Sequence, residues 1–527
     1  MWDRKREAFS TYKRLSYKDN ANPIDMEDNS ALLQSGKDFE ASNPSWSLSL
    51  PHVLVATLTS FLFGYHLGVV NEPLESISAD LGFNGNTLAE GLVVSTCLGG
   101  ALIGSLLSGW VADGVGRRRA FQLSALPMIL GAGMRLFSNR EAILANVDRA
   151  VHHTFMLFTR QSLALFPCII INCAMTKTLA GMLLGRLFVG TGMGLGPPVA
   201  SLYITEVSPA FVRGTYGSFI QIATCLGLMA ALLIGIPVKE IVGWWRTCFW
   251  VSTIPAALLA LAIVFCAESP HWLYKQGRTE EAETEFEKLL GGSHVKSALT
   301  ELSKFDRGDE PDDVELSELL FGRHLQVVFI GSTLFALQQL SGINAIFYFS
   351  STVFKSAGVP LNLANVCVGI SNLAGSVIAM LLMDRLGRKL LLLWSFSGMA
   401  VAMALQVVAG SYHSSDSRAV YLSVGGTLMF VLMFALGAGP VPGLLLPEIF
   451  PSRIRAKAMA ICMSVHWVIN FFVGLLFLQL LEKMGPQLLY SGFATFCLIA
   501  VVFVKRNVVE TKGKSLQEIE IALLPQE

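Results

Sequence analysis

Apolar residues run through this chain in blocks of about twenty, broken by short polar clusters. Twelve such blocks stand out, near residues 52–71, 89–111, 120–137, 179–203, 215–237, 247–267, 325–352, 363–383, 390–411, 421–446, 457–480 and 486–505. About twenty apolar residues in a helix cross the roughly 30 Å of hydrocarbon in a bilayer. The blocks are too long for barrel strands, and lipid leaves no partner for open strand edges, so each predicts a membrane-spanning helix. One block breaks its own pattern: "LFALQQLSGINAIFYFS", Leu334 to Ser350, carries Gln338, Gln339 and Asn344 inside an apolar run.

Composition agrees with a chain built for lipid. Of 527 residues, 53% are hydrophobic and 15% charged, and mean hydropathy is +0.54. Lys plus Arg equals Asp plus Glu at 39 each, so no strongly charged partner, nucleic acid included, is implied. Cys97, Cys225, Cys248, Cys266, Cys367, Cys462 and Cys497 fall in apolar runs without a CxxC pair, which predicts buried, inert thiols. The first fifty residues are polar. Basic residues from Arg4 to Arg14 lean toward organelle targeting, whereas Asp25, Glu27 and Asp28 fit a disordered tail, and no secretory signal is seen.

The charged loops repeat. Asp113 precedes Gly116-Arg117-Arg118-Arg119, as Asp384 and Arg385 precede Gly387-Arg388-Lys389. Glu206 and Arg213 stand seven apart with a proline between, as do Glu448 and Arg455. Six spans repeated in parallel is the plan of the major facilitator class, with a substrate site between the halves near mid-membrane. The expected fold is all-α integral membrane, with twelve helices in two six-helix halves. Residues 1–50 form a polar tail, 51–270 the first half, 271–324 an intracellular helical linker, 325–506 the second half and 507–527 a C-terminal tail. The Arg-rich loops mark the cytoplasmic side.

The first half is longer than its twin. Asp113 and Glu206 are 93 residues apart, Asp384 and Glu448 only 64, a surplus of 29. The surplus maps to an insertion at about 135–175. A span there would put the two Arg-rich loops on opposite faces, so a non-spanning stretch on the non-cytoplasmic side is expected, either unspliced coding sequence or a tolerated loop. His152 and His153 within it point apart on most backbones and lack further ligands, so no metal is expected.

Amides buried in hydrocarbon either glue helices together or face a wet cavity. Gln338, Gln339 and Asn344 are joined at interior depth by Gln221, Asn372, His466, Trp467 and Asn470 on three other helices. A neutral polyhydroxyl ligand needs groups that both donate and accept, which amides supply, and an indole offers a flat face to the C–H side of a sugar ring. Gly342 lies where the helix would loosen.

Several blocks carry a family resemblance: "GRLFVGTGMGLG", "YITEVSPAFVRG", "AESPHWLYKQGR", "QQLSGINAIFYFS", "LPEIFP" and "VVETKGKS" resemble the signatures of sugar porters, the hexose transporters of the major facilitator superfamily. The longer stretches "FGYHLGVVNEPLESIS" and "ALGAGPVPGLLLPEIFPSRIRAKAMA" resemble plant plastidic glucose transporters. The resemblance implies that Gln221, Gln338, Gln339, Asn344, Asn372 and Asn470 hydrogen-bond a hexose, with Trp467 as aromatic wall. It also implies a chloroplast envelope location, with vacuolar and plasma membranes as alternatives. Gly443 stands where animal facilitative carriers have a second tryptophan, His466 where they have asparagine, and His271 in place of an arginine.

Asp113, Arg117, Glu206, Arg213, Asp384, Arg385, Arg388, Glu448 and Arg455 lie at cytoplasmic helix ends. Repeated in both halves, they are read as ion pairs that lock the outward-open state and part when the halves rock. Related proton-coupled sugar porters have an aspartate after the FGY triplet, where this chain has His66, a residue that either packs neutral or takes part in proton linkage. Facilitated diffusion of a neutral monosaccharide by a monomer in the bilayer is therefore the leading expectation. A proton-coupled symporter and a transport-dead sugar sensor are the alternatives. No P-loop, catalytic triad, metal cluster or cofactor motif is found, so neither an enzyme nor a cofactor is expected.

Overall fold

The computed structural model describes residues 45–132, 176–209, 212–239, 241–308, 322, 324–356, 361–412, 417–450 and 454–512. The N-terminal tail, most of the linker's end and the insertion at about 135–175, with His152 and His153, lie outside the described residues.

Ten helices are long and apolar enough to cross a membrane. One of them, Arg455–Asn507, is two passes joined at Gly485, whose left-handed φ of 78° turns the chain before Pro486. Arg117–Ala132 adds another apolar helix of 16 residues. The twelve are α1 Trp46–Gly68, α2 Thr87–Val115, α3 Arg117–Ala132, α4 Leu179–Val207, α5 Arg213–Ile234, α6 Trp244–Phe265, α7 Leu325–Ser351, α8 Leu361–Leu386, α9 Arg388–Ala409, α10 Val420–Ile449, and α11 and α12 on either side of Gly485. Asn86 and Thr178 start α2 and α4 as side-chain caps, accepting from Ala89 N and Gly181 N.

Close packing within the first half depends on small residues, as expected where lipid removes the hydrophobic drive between helices. On α1 and α5, Gly64 and Gly227 lie so near the facing backbone that a methyl on either would overlap Thr224 O or Phe61 O. Between the halves, α2 packs on α11 and α5 on α8. A third junction is polar, at the ends of the helices opposite the Arg-rich loops. Asn71, just past α1, donates to Phe347 O at 2.8 Å and to Ser350 Oγ at 2.7 Å, and accepts from Ser351 N at 3.0 Å. Asn365 of α8 completes the cluster, accepting from Ser350 and donating to Ser351.

After α6 the chain forms short helices, Pro270–Lys275, Thr279–Leu290 and Val295–Gly308. Phe286, Val295 and Leu302 give them a small core of their own.

Candidate functional site

The site is built around a break in α7. Helix Leu325–Leu340 stops at Ser341, and a second begins at Ile343. Gly342 holds the joint at φ 85°, and a Cβ there would sit 2.6 Å from the Phe493 ring. Only glycine meets both demands. The break leaves Gln338 and Gln339 at the end of one piece and Asn344 in the first turn of the next.

Those amides form a chain. Asn344 Nδ2 donates to Gln339 Oε1, Gln339 Nε2 donates to Gln338 Oε1 at 3.2 Å, and the same nitrogen lies 3.0 Å from His466 Nδ1 on α11. Gln338 Nε2 donates to Ala438 O at 2.5 Å, at the end of a π-turn, Phe434–Ala438, that widens α10. The asparagine-to-histidine departure at His466 thus keeps a hydrogen-bonding role. Part of the amide set ties α7 to α10 and α11, and Gln338 has spent its donor on backbone.

A second polar group joins α5 to α8. Gln221 Nε2 and Asn372 Nδ2 both point hydrogen to Cys225 Sγ, at 3.6 and 3.4 Å, and Ser376 Oγ lies 3.1 Å from the same sulfur. A third lies on α11: Asn470 accepts from Tyr348 OH at 3.3 Å, and the Trp467 ring meets Phe63 of α1 edge-on at 6.0 Å. Two buried polar side-chain atoms of these residues have no partner. They are Asn372 Oδ1, an acceptor, and Trp467 Nε1, a donor. A buried polar atom left unmade costs about 1–3 kcal/mol, so unmatched groups in a folded protein call for an explanation. A sugar hydroxyl can donate to an acceptor such as the first or accept from a donor such as the second.

At the helix ends that carry the Arg-rich loops the charges pair within each half. Arg117 grips Glu206 with two hydrogen bonds of 2.8 Å and also reaches Asp113 Oδ1 at 3.1 Å. Arg388 pairs with Glu448 at 3.1 Å. Arg455 donates to Phe450 O, while Arg213 and Arg385 are exposed, and the Asp384 side chain lies outside those described. The repeat read from the loops is therefore a repeat of contacts within halves, with Arg117 and Arg388 as its centres.

Two further carboxylates belong to it. Glu268, just after α6, accepts from Arg117 N at 3.0 Å and also from Arg118 N and Ser269 N. Glu510, just after α12, accepts from Arg388 N at 2.9 Å and Lys389 N at 3.0 Å. The glycines before these arginines, Gly116 and Gly387, share left-handed φ of 90° and 88°. Burial pushes the Glu268 carboxyl up, against the pull of its three N–H donors. The signal was present in the sequence, since each glutamate follows the last span of its half.

His66 is fully buried and neither ring nitrogen has a hydrogen-bond partner. Beside it is Arg186 of α4, buried at 2% exposure, whose guanidinium donates to Val93 O at 3.1 Å and His66 O at 3.4 Å. Sequence reasoning did not single out Arg186. Seven described cysteines are free thiols, and no group of His, Cys, Asp and Glu that could hold a metal ion occurs among the described residues.

This architecture matches known proteins. Residues 52–523 fit the model of the sugar (and other) transporter family, and the chain belongs to that family, as a sugar porter of the major facilitator superfamily. It is 71% identical over 523 residues to the probable plastidic glucose transporter 2 of Arabidopsis thaliana, covering 98% of each chain. It is 41% identical to plastidic glucose transporter 4 of the same plant, covering 98% of this chain and 87% of the other. Among solved structures, the proton:xylose symporter XylE bound to 6-bromo-6-deoxy-D-glucose superposes with a TM-score of 0.71 at 27% identity, over 90% of this chain and 99% of that one. The protein is therefore a membrane sugar transporter close to the plastidic glucose transporters.

Proposed function

We propose that this transporter carries a neutral hexose, glucose foremost, across the plastid envelope by facilitated diffusion, as a monomer working by alternating access. One observation carries the reading: among the candidate amides and aromatics, a buried acceptor on α8, Asn372 Oδ1, and a buried donor on α11, Trp467 Nε1, lack partners. Gln221, Gln339, Asn344 and Asn470 supply the further donors and acceptors that a sugar ring needs in place of its hydration shell. Gln338 acts in this scheme by holding the widened turn of α10 against α7. The names of the plastidic relatives support glucose and a plastid location.

Downhill transport is favoured by the surroundings of His66. The Arg186 guanidinium donates to the His66 backbone carbonyl at 3.4 Å, so a proton on the buried ring would add a second cation to the same neighbourhood. The first-span carboxylate of proton-coupled relatives is replaced here. The ion pairs at Arg117 and Arg388 brace the cytoplasmic ends of each half, so that the halves rock as bodies. Uptake of radiolabelled glucose into liposomes holding the purified chain tests this: saturable uptake indifferent to an imposed pH gradient is expected. Accumulation driven by an inward proton gradient would replace facilitated diffusion with symport.

A further inference from the structure

We propose that Cys225 is a positioning residue for sugar specificity, its buried thiol orienting the Asn372 amide toward a sugar hydroxyl; this rests on the hexose reading above. Composition alone marks Cys225 as one more inert buried thiol. The structure gives it a different neighbourhood. It lies one turn after Gln221 on α5, in the first half, and its sulfur meets two residues of α8 in the second. Helical spacing of four puts Gln221 and Cys225 on one face.

The sulfur decides which way Asn372 points. The two ends of an amide are nearly the same size, and the hydrogen-bond network fixes their order. With Sγ 3.1 Å from Ser376 Oγ and 4.0 Å from Asn372 O, the thiol proton has oxygen acceptors elsewhere. Its lone pairs then receive Asn372 Nδ2 at 3.4 Å and Gln221 Nε2 at 3.6 Å. Asn372 is thereby held with Nδ2 spent and Oδ1 unsatisfied, although the residue is only 4% exposed. That free acceptor is the independent sign of a ligand. A sugar hydroxyl donating to Oδ1 would complete the amide, and the thiol sits on the seam that opens and closes with the halves.

Two observations of the full chain in liposomes test the inference. Purified protein is treated with methyl methanethiosulfonate, with and without D-glucose, and modification at each cysteine is mapped by mass spectrometry. Modification of Cys225 is expected to fall several-fold with D-glucose and not with L-glucose, while Cys97 and Cys497 do not respond. In exchange assays, Cys225→Ala should raise KM for glucose about threefold to tenfold, the worth of one hydrogen bond, with Vmax within about twofold, and Cys225→Ser should restore KM. Discrimination between glucose and its monodeoxy analogues should shrink in Cys225→Ala for one hydroxyl position only. Modification that ignores glucose, no modification in either condition, or a change in Vmax alone would overturn the proposal. If the wild type exchanges glucose but Cys225 is not protected, only this inference fails; if it neither binds nor exchanges glucose, the hexose reading fails first.

Discussion

Asn71 and Ser350 are hydrogen-bonded at 2.7 Å across the junction of the two halves, 279 residues apart in sequence. The bond is one of five that join Asn71, Phe347, Ser350, Ser351 and Asn365 in a buried cluster on the face opposite the Arg-rich loops. A buried network of this kind closes that face while it lasts, and alternating access requires that it part.

Replacing Asn71 with alanine removes three of those bonds, leaving Ser351 N without that acceptor and Phe347 O without that donor, while Ser350 Oγ keeps its bond to Asn365. At about 1 kcal/mol net for each bond, the closed face should lose on the order of tenfold or more in population. Spin-label distances between the ends of α1 and α7 opposite the Arg-rich loops should show a longer, more populated open component. An unchanged distribution would mean that the cluster is not a seal.

The two arginine centres should differ in strength. Arg117 and Glu206 have side chains only 5% and 11% exposed and meet through two bonds, whereas Arg388 and Glu448 are 18% and 31% exposed with one bond of 3.1 Å. Removing one member of a buried pair costs about 3–5 kcal/mol, and of an exposed pair about 1 kcal/mol or less. Glu206→Gln should therefore lower the melting temperature of the purified carrier more than Glu448→Gln. Equal shifts would contradict the asymmetry.

Acid should weaken one contact outside the membrane. Asp80, at the end of the short helix Leu74–Asp80, accepts from Trp245 Nε1 and Arg246 Nη1 at 2.8 Å each, and these bonds hold its carboxyl below the usual range. A depressed folded pKa means that its stabilisation is whole above the ordinary value of 3.8 and is lost as pH falls through the lowered one. Asp80→Asn should cost up to about 1 kcal/mol at neutral pH. Melting curves of variant and wild type should converge as pH drops below about 4. A constant gap down to pH 3 would place the effect elsewhere.

At the break in α7, Gly342→Ala faces both a left-handed φ and the Phe493 ring. Strain of about 1–3 kcal/mol is expected from the backbone, with overlap in addition. Glucose exchange should fall at least tenfold in protein that still elutes as the wild type does. Full activity would show that the break is not needed.

His66→Gln keeps a polar side chain in the pocket beside Arg186 and removes the titratable ring. Exchange should remain within about threefold of wild type, and its dependence on external pH between 5.5 and 7.5 should not change, since one neutral side chain replaces another. A pH profile flattened by the substitution would make His66 a proton carrier.

Much of the architecture was legible because lipid imposes it. Runs of apolar residues gave the spans, the matched Asp113 and Asp384 loops gave the two halves, and Gly342 marked the break in α7. Roles that depend on partners distant in sequence were not. Arg186 sits in an apolar run and is held by the carbonyls of Val93 and His66, which no side-chain pattern reveals. Cys225 reads as a small apolar residue until α8 is brought against it. Gln338 and Gln339 read as equals in sequence, yet one donates to Ala438 O and the other faces His466, because consecutive helical residues point about 100° apart and meet different helices.

The most direct measurement is equilibrium binding of radiolabelled D-glucose to the purified carrier and to Asn372→Ala and Trp467→Phe. Saturable binding to the wild type, weakened about threefold to tenfold by each substitution in folded protein, is the predicted result. Equal affinity in all three, or no binding to any, would contradict a sugar site built on those two unpaired atoms.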